Sequence, residues 1–222
     1  MLRWPPPVWQ HLDWLRGSPR GLQLVEWLED PLKYVAVLGR DGYRGAVLAL
    51  LQAAHWRDLA AAGLASDSGQ PHYAYRVGSQ FSVLVTDSPD AAHRAILWSE
   101  PDWPGTCLWV DGAEVALGAE TPSPYCAKAG RWADARFFAV AVQGPMDHPA
   151  QAFPIGADLG AVMGLLVVDA AQGRHHVLQP SANQAWSDPW LEVRDGSWRI
   201  YPDRDAMERG DAPDRVIPVS GP

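Results

Sequence analysis

The feature that most constrains this chain is a set of two-residue turns, each lying between two short apolar runs. Asp111-Gly112 and Asp195-Gly196 suit type I′ turns, in which both central residues take positive φ, and Gly78-Ser79 suits a type II′ turn. Such turns join antiparallel neighbours, and a two-residue loop also fixes which residues face each other. Residues 71–201 are therefore expected to form a mainly antiparallel sheet made of successive β-hairpins.

Each turn predicts a pairing across its hairpin. The expected partners are Tyr73 with Leu84, Tyr75 with Ser82, Leu108 with Val115, Val110 with Ala113, Leu191 with Ile200, and Val193 with Trp198. Glu192 and Arg199 fall opposite each other on the other face of the last hairpin. A longer connection predicts a fourth hairpin between residues 164–169 and 174–179, and residues 136–142 supply one more strand.

The first part of the chain has helical periodicity instead. Pro7 and Ser18-Pro19 suit helix starts, and the apolar residues after each recur at helical spacing. A further helix is predicted over residues 46–62. Residues 33–38 are rich in β-formers and predict a strand, although Asp-Pro before them would also suit a helix. Ser88-Pro89 predicts another short helix, through residue 97.

Length and composition favour one domain. A chain of 222 residues with 47% hydrophobic side chains can bury a sizeable core. The predicted class is α+β over residues 1–222, with a mainly helical N-terminal part, 1–65, packed on the antiparallel part, 71–201. The polar residues 202–222 are expected to form a frayed tail.

The charge balance bears on partners and location. The net charge of −8 repels a phosphate backbone, and the arginines form no basic run, so no nucleic acid partner is expected. No apolar run approaches the roughly 18 residues of a membrane span, and the first residues lack the apolar core of a signal peptide. We expect a cytoplasmic protein without a membrane partner. Few Lys, Ile and Asn residues suggest a GC-rich, bacterial genome.

Cysteine and histidine spacing predicts no metal site and no cofactor. Cys107 and Cys126 lack CxxC spacing and are interpreted as small core residues. His175 and His176 are adjacent, and in a strand their rings point to opposite faces, so both cannot bind one metal.

Tryptophan is the residue type that suggests a binding surface. The chain has 12 Trp, in part a result of codon bias. Aromatic side chains anchor interfaces because they combine apolar area with a polar group. A non-enzymatic protein-binding, accessory or regulatory protein is the favoured hypothesis, with another protein as its partner and with Trp190 as a further contributor. The proposed surface consists of Trp98, Trp103, Trp109, Trp132 and Trp186.

Two other functions stay open. A hydrolase-like enzyme for a small molecule would need a histidine beside a carboxylate in a cleft. Its candidate residues are His93, His175, His176, Asp158 and Asp169. The second alternative is a subunit of a larger assembly, and the oligomeric state is left open.

The segment from Gly39 to Gly45 is a possible anion site. Its glycines precede a helix whose amides would favour an anion, with Arg40, Gly42 and Arg44 around it. The spacing is neither a dinucleotide fingerprint nor a P-loop. A plain turn is therefore the preferred interpretation.

Overall fold

A computed structural model describes residues 31–53, 72–75, 82–99, 106–116, 126–145, 147–150 and 162–219. These residues form mainly antiparallel sheets with few helices. They belong to two compact units, Met1–Val115 and Ala116–Pro222, and the single domain expected from the length stays a prediction. Within the described ranges no helix is long and apolar enough to cross a membrane.

The first unit contains a helix and an antiparallel meander. Helix α1 spans Pro31–Ala53. The five strands lie side by side in chain order. They are β1 (His72–Tyr75), β2 (Ser82–Asp87), β3 (Arg94–Ser99), β4 (Thr106–Val110) and β5 (Ala113–Glu114).

Two of the predicted registers are found in this meander. Tyr73 pairs with Leu84 and Tyr75 with Ser82, although the Gly78-Ser79 turn itself lies outside the described residues. Val110 pairs with Ala113 across Asp111 and Gly112, whose φ angles of 52° and 77° are those of a type I′ turn. The Val115 amide donates to the Leu108 carbonyl, which confirms the other predicted contact of this hairpin.

Helix α1 corrects two predictions. Residues 33–38 are helical, so the predicted strand is wrong, and residues 40–45 continue the helix where a turn was preferred. Gly39 breaks the helix with φ 71° and ψ 165°. Beyond it, Tyr43, Val47 and Leu51 recur every four residues and are fully buried, and burial of this stripe outweighs the glycines. The helices predicted within 1–30, and the part of the 46–62 helix after residue 53, lie outside the described residues.

The helix lies on the face of the sheet that carries Ile96 and Trp109. Arg44 places its guanidinium carbon 4.7 Å from the centre of the Trp109 ring and pairs with Glu114 at 3.0 Å. On the opposite face, Leu97 and Leu108 are also buried. Both faces of the central strands are therefore covered.

The helix predicted from Ser88 to residue 97 is wrong. Ser88 begins a hairpin loop: its amide donates to the His93 carbonyl at 2.9 Å, and its hydroxyl accepts from the His93 amide at 3.0 Å. From Arg94 onward the chain pairs with β2 and β4. A Ser-Pro pair suits a helix start or a loop, and pairing on both sides decides for the loop.

The second unit contains two antiparallel sheets and a short helix. The strands are β6 (Cys126–Trp132), β7 (Phe137–Gln143), β8 (Met163–Asp169), β9 (Arg174–Leu178), β10 (Trp190–Arg194), β11 (Ser197–Tyr201) and β12 (Arg215–Pro218). The first sheet has the order β6-β7-β8-β9 and the second β10-β11-β12. Helix α2 spans Arg204–Arg209 and contacts β11.

The predicted hairpins of this unit are confirmed. Asp195 and Gly196 have φ angles of 51° and 67°, and Leu191 pairs with Ile200 as expected. The pair of Val193 with Trp198 and the β8–β9 hairpin are also found. Strand β7 corresponds to the extra strand predicted over residues 136–142.

The core of the second unit lies between its two sheets. Side chains from alternate positions of β7, β8, β10 and β11 meet there, with one Trp from a connecting segment. These residues are Phe137, Ala139, Leu165, Val167, Trp186, Leu191, Trp198 and Ile200. Phe138 and Leu166, on the other face of the first sheet, are buried as well.

The frayed tail predicted for residues 202–222 is wrong over residues 202–219. Asp203 caps α2 by accepting from the Ala206 amide at 2.7 Å, and Gly210 ends the helix in the left-handed conformation. Strand β12 then pairs with β11, and Ile217 packs against the core. A polar composition concealed this, because only alternate residues of an edge strand need to be apolar.

Ile217 and Val216 give a matched test of strand β12. Ile217 faces the core and Val216 is 57% exposed, so Ile217→Ser should lower the free energy of unfolding by about 2 kcal/mol, and Val216→Ser by less than about 0.5 kcal/mol. Urea unfolding followed by Trp fluorescence measures both. Equal effects of the two substitutions would contradict the packing of Ile217 in strand β12 against the core.

Candidate functional site

The five predicted surface tryptophans do not share one exposed patch. Trp109 and Trp186 are 2% and 0% exposed. Trp186 donates its indole N–H to Asp214 Oδ2 at 2.9 Å, which satisfies the polar atom of a buried ring. Trp132 is half-buried and packs edge-on against Phe138 at 5.3 Å. These three contribute to the interior, while Trp103 and the Trp98 side chain lie outside the described part of the chain.

The predicted catalytic residues are also separated. His175 and His176 are exposed on β9, on opposite faces of the strand. The His176 ring packs edge-on against Trp198 at 5.3 Å. Asp169 pairs with an arginine rather than with either histidine, and Asp158 lies outside the described residues.

Asp169 forms a bidentate ion pair with Arg136. Arg136 donates from Nε to Oδ1 at 2.8 Å and from Nη2 to Oδ2 at 2.6 Å, and the Gln172 amide donates to Oδ1 at 3.2 Å. Burial by itself raises the pKa of Asp169, but these hydrogen bonds outweigh it and leave the pKa below its ordinary value. Asp169 is thus a structural anion that joins β7, β8 and the turn after β8.

His93 is the one predicted histidine that meets a carboxylate in a cavity of the described chain. Its Nδ1 lies 2.7 Å from Asp111 Oδ2 and must be the donor, since a carboxylate only accepts. The cavity measures about 200 Å³ and is polar, with Gln52, Asp87, His93, Arg94 and Asp111 among its lining residues. Asp111 also accepts from the Arg94 amide at 2.9 Å, so both of its oxygens are engaged.

The walls of this cavity are fixed by Arg94. Its guanidinium donates to both oxygens of Asp87, at 2.6 and 2.9 Å, and from Nη1 to the Leu51 carbonyl of α1 at 2.9 Å. The side chains of β2 and β3 are thereby joined to the helix. The His93 ring is thus oriented by Asp111 and lies beside the Arg94–Asp87 ion pair.

A second arrangement lies at the start of β10, which we call the Trp190 patch and define as Arg131, Trp190, Glu192, Tyr201 and Arg204. The Arg131 and Arg204 guanidinium carbons lie 3.5 and 5.3 Å from the Trp190 ring centre. Tyr201 pairs with Trp190 across the strands and donates to Glu192 Oε2 at 3.0 Å. Burial is the main reason that the pKa of Tyr201 is raised, with Glu192 adding to it.

Arg131 is the unusual member of the Trp190 patch. It is half-buried on β6 and donates from Nη2 to the Pro189 carbonyl at 2.8 Å. Its Nε is buried and meets no acceptor among the described residues. Burial lowers the pKa of Arg131 to about 10, Asp188 opposes that change, and the nearby charge of Arg204 adds to it. The residue stays a cation at neutral pH.

Both arrangements contain residues that the sequence analysis missed. Asp111 was assigned only to a turn, although a β3–β4 register would have placed it beside Arg94. Arg131 and Arg204 carry no sequence signal, because neither is part of a motif or at a strand or helix spacing from Trp190.

The remaining candidate residues have simpler settings. Gly42 lies within α1, and Arg44 is engaged by Trp109 and Glu114; the Arg40 side chain lies outside the described residues. The predicted anion site stays a prediction. Cys107 is half-buried and not in a disulfide, and the Cys126 side chain is outside the described part. No group of three or more metal-ligand side chains occurs in the ranges that the structure describes.

Replacing Asp169 tests the ion pair. The folded-state pKa of Asp169 is lowered, so its stabilisation is complete above the unfolded pKa, about 3.9, and is lost as pH falls through the folded pKa. Asp169→Asn should cost about 2 to 3 kcal/mol at pH 7, because it leaves Arg136 without a counter-ion. Urea unfolding at pH 7 and pH 3 measures both effects, and the difference between variant and wild type should shrink at the lower pH.

Glu208→Gln is the matched control for that experiment. Glu208 also pairs with an arginine, Arg204, at 2.6 Å, but both side chains are more than half exposed. Its loss should change stability by less than about 0.5 kcal/mol. A similar cost for the two substitutions would contradict the structural role of Asp169.

Comparisons with known proteins assign no role to either arrangement. No protein-family model, no curated protein and no solved structure matches this chain. The two arrangements are therefore judged by their own geometry: a histidine–aspartate pair in a polar cavity of the first unit, and an aromatic ring in contact with two arginines in the second.

Proposed function

We propose that this chain is a non-enzymatic protein-binding, accessory protein of the bacterial cytoplasm, and that it binds its partner through the Trp190 patch. The observation that carries the proposal is the half-buried Trp190 ring with the guanidinium groups of Arg131 and Arg204 against it. Trp, Tyr and Arg are the residue types that concentrate binding energy at protein interfaces. The Trp190 patch contains all three residue types, contributed by strands β6, β10 and β11 and by the short helix α2.

Preorganisation of the Trp190 patch adds support. The Arg131 side chain is held by the Pro189 carbonyl, and Tyr201 is held by Glu192. Side chains that are already ordered lose less conformational entropy when a partner binds. A partner would therefore meet a surface whose aromatic and cationic groups have fixed positions.

The proposed surface differs from the one expected from the sequence. Trp109 and Trp186 are interior residues, and a partner would reach them only by opening the core. Trp190 replaces them as the anchor because the pattern of β10 places Leu191 and Val193 toward the core and leaves Trp190 on the other face.

Substitution of Trp190 tests the proposal. A photo-cross-linking residue at position 194, at the other end of β10 but on the same face as Trp190, should trap one discrete partner in the native host, identified by mass spectrometry. With that partner purified, Trp190→Ala should weaken binding at least 30-fold, about 2 kcal/mol, measured by calorimetry.

Arg209→Ala serves as the control. Arg209 is exposed on α2 and its guanidinium pairs with Asp211, so its removal should change the affinity less than threefold. Thermal unfolding of both variants confirms folding. Equal affinity of Trp190→Ala and wild type would overturn the proposed surface.

A second candidate function is supported by the His93–Asp111 pair. A carboxylate that accepts from Nδ1 fixes the tautomer and orientation of an imidazole, as in hydrolytic sites. In a hydrolase-like enzyme His93 would act as the general base that activates a water molecule, within the cavity of about 200 Å³.

Hydrolysis of a panel of chromogenic carboxylic and phosphoric esters tests this candidate. His93→Gln and Asp111→Asn should each lower kcat/KM at least 100-fold, the usual contribution of a general base. His175→Gln is the control, because His175 is exposed and lies in the other unit. Full activity of His93→Gln, or no activity of the wild type on the panel, would contradict the candidate.

A further inference from the structure

We infer that the Trp190 patch recognises an acidic segment of the partner protein, with a carboxylate of that segment bound by Arg131 and Arg204. This inference rests on the proposed function and names the chemistry of the partner. Three observations support it: the incomplete hydrogen bonding of Arg131, the nearby cation Arg204, and the Trp190 ring that both guanidinium groups contact.

Arg131 forms no direct ion pair within the described residues, although the charge of Asp188 acts on it from nearby. Arg131 Nη2 donates to the neutral Pro189 carbonyl, its Nε is buried without an acceptor, and it meets no carboxylate at ion-pair distance in the described part of the chain. Buried charges in proteins are as a rule paired, and a charge without a partner lowers stability. A ligand carboxylate would supply the direct ion pair that the described residues do not give Arg131.

Arg204 strengthens this preference for an anion. It shares the Trp190 ring with Arg131, and the two like charges destabilise each other, which contributes to the lowered pKa of Arg131. Glu208 pairs with Arg204 at the surface, where an ion pair is weak and exchangeable. An incoming carboxylate that accepts from both guanidinium groups would relieve their repulsion and gain charge-assisted hydrogen bonds.

A protein carboxylate fits better than a nucleic acid phosphate. The whole chain carries a net charge of −8, which opposes a long polyanion such as a nucleic acid backbone. An acidic peptide segment needs only the local cationic charge of the Trp190 patch. The apolar part of such a segment would pack on Val216, which is 57% exposed on the same face of the second sheet.

The experiment uses the full chain and a fluorescent hexaglutamate peptide as the probe. Fluorescence anisotropy at low ionic strength should give saturable binding that weakens as salt is added. Arg131→Met, which keeps the packing on Trp190, should weaken binding at least 10-fold. Arg194→Met, at the far end of β10, should change it less than twofold. A hexaglutamine peptide of the same length should not bind.

Thermal unfolding separates a binding role of Arg131 from a structural one. Because Arg131 is largely buried and has no direct ion-pair partner among the described residues, Arg131→Met should leave the unfolding midpoint of the unliganded protein unchanged or raise it. A clear fall of the midpoint would overturn the binding role. So would hexaglutamate that does not bind the wild type, hexaglutamate that binds Arg131→Met equally, or free glutarate that binds as well as the peptide.

The cross-linked partner distinguishes this inference from the proposed function. If binding of that partner depends on Trp190 but not on Arg131, the carboxylate site is wrong and the binding surface stands. If it depends on neither residue, the surface is wrong as well. Dependence on both, together with an acidic contact segment in the cross-linked peptide, supports both.

Discussion

The apolar contact between the two sheets of the second unit decides where the side chains of β10 and β11 point. Leu191 and Ile200 must face Phe137 and Leu165 to exclude water, and a strand alternates its side chains with a period of two. Because Trp190 is adjacent to Leu191 in β10, its side chain must lie on the opposite face of the sheet, away from the core. The surface proposed for binding is thus a consequence of how the core is built.

In the first unit a polar interaction has the comparable role. Arg94 lies at the start of β3, and its charge would be unfavourable among buried neighbours without Asp87 and the helix carbonyls. Once Arg94 is paired, the adjoining backbone is fixed, and His93 and Asp111 follow at hydrogen-bond distance. The cavity and its histidine are therefore consequences of the same charge pair that attaches the helix.

How much could be predicted from the sequence depends on the distance over which the deciding interaction acts. The Asp195-Gly196 turn depends on two adjacent residues, so the register of its whole hairpin could be predicted, including the pairing of Glu192 with Arg199. Ser88-Pro89 is equally local, but pairing with β2 and β4 overrides it, and the start of α1 is a short apolar run that suits strand and helix alike. In the Trp190 patch, Arg131 and Arg204 meet only through the tertiary fold, and no spacing in the sequence records that.

The contact between Arg94 and the Leu51 carbonyl has a consequence for motion. The α1 turn that contains Leu51 cannot open alone, because opening would remove the carbonyl partner of the Arg94 guanidinium and weaken its bond to Asp87. Segments joined by such contacts open as cooperative units. This turn of α1 and the β2–β3 hairpin should accordingly open and close together, and the cavity that they line should form or disappear as a whole.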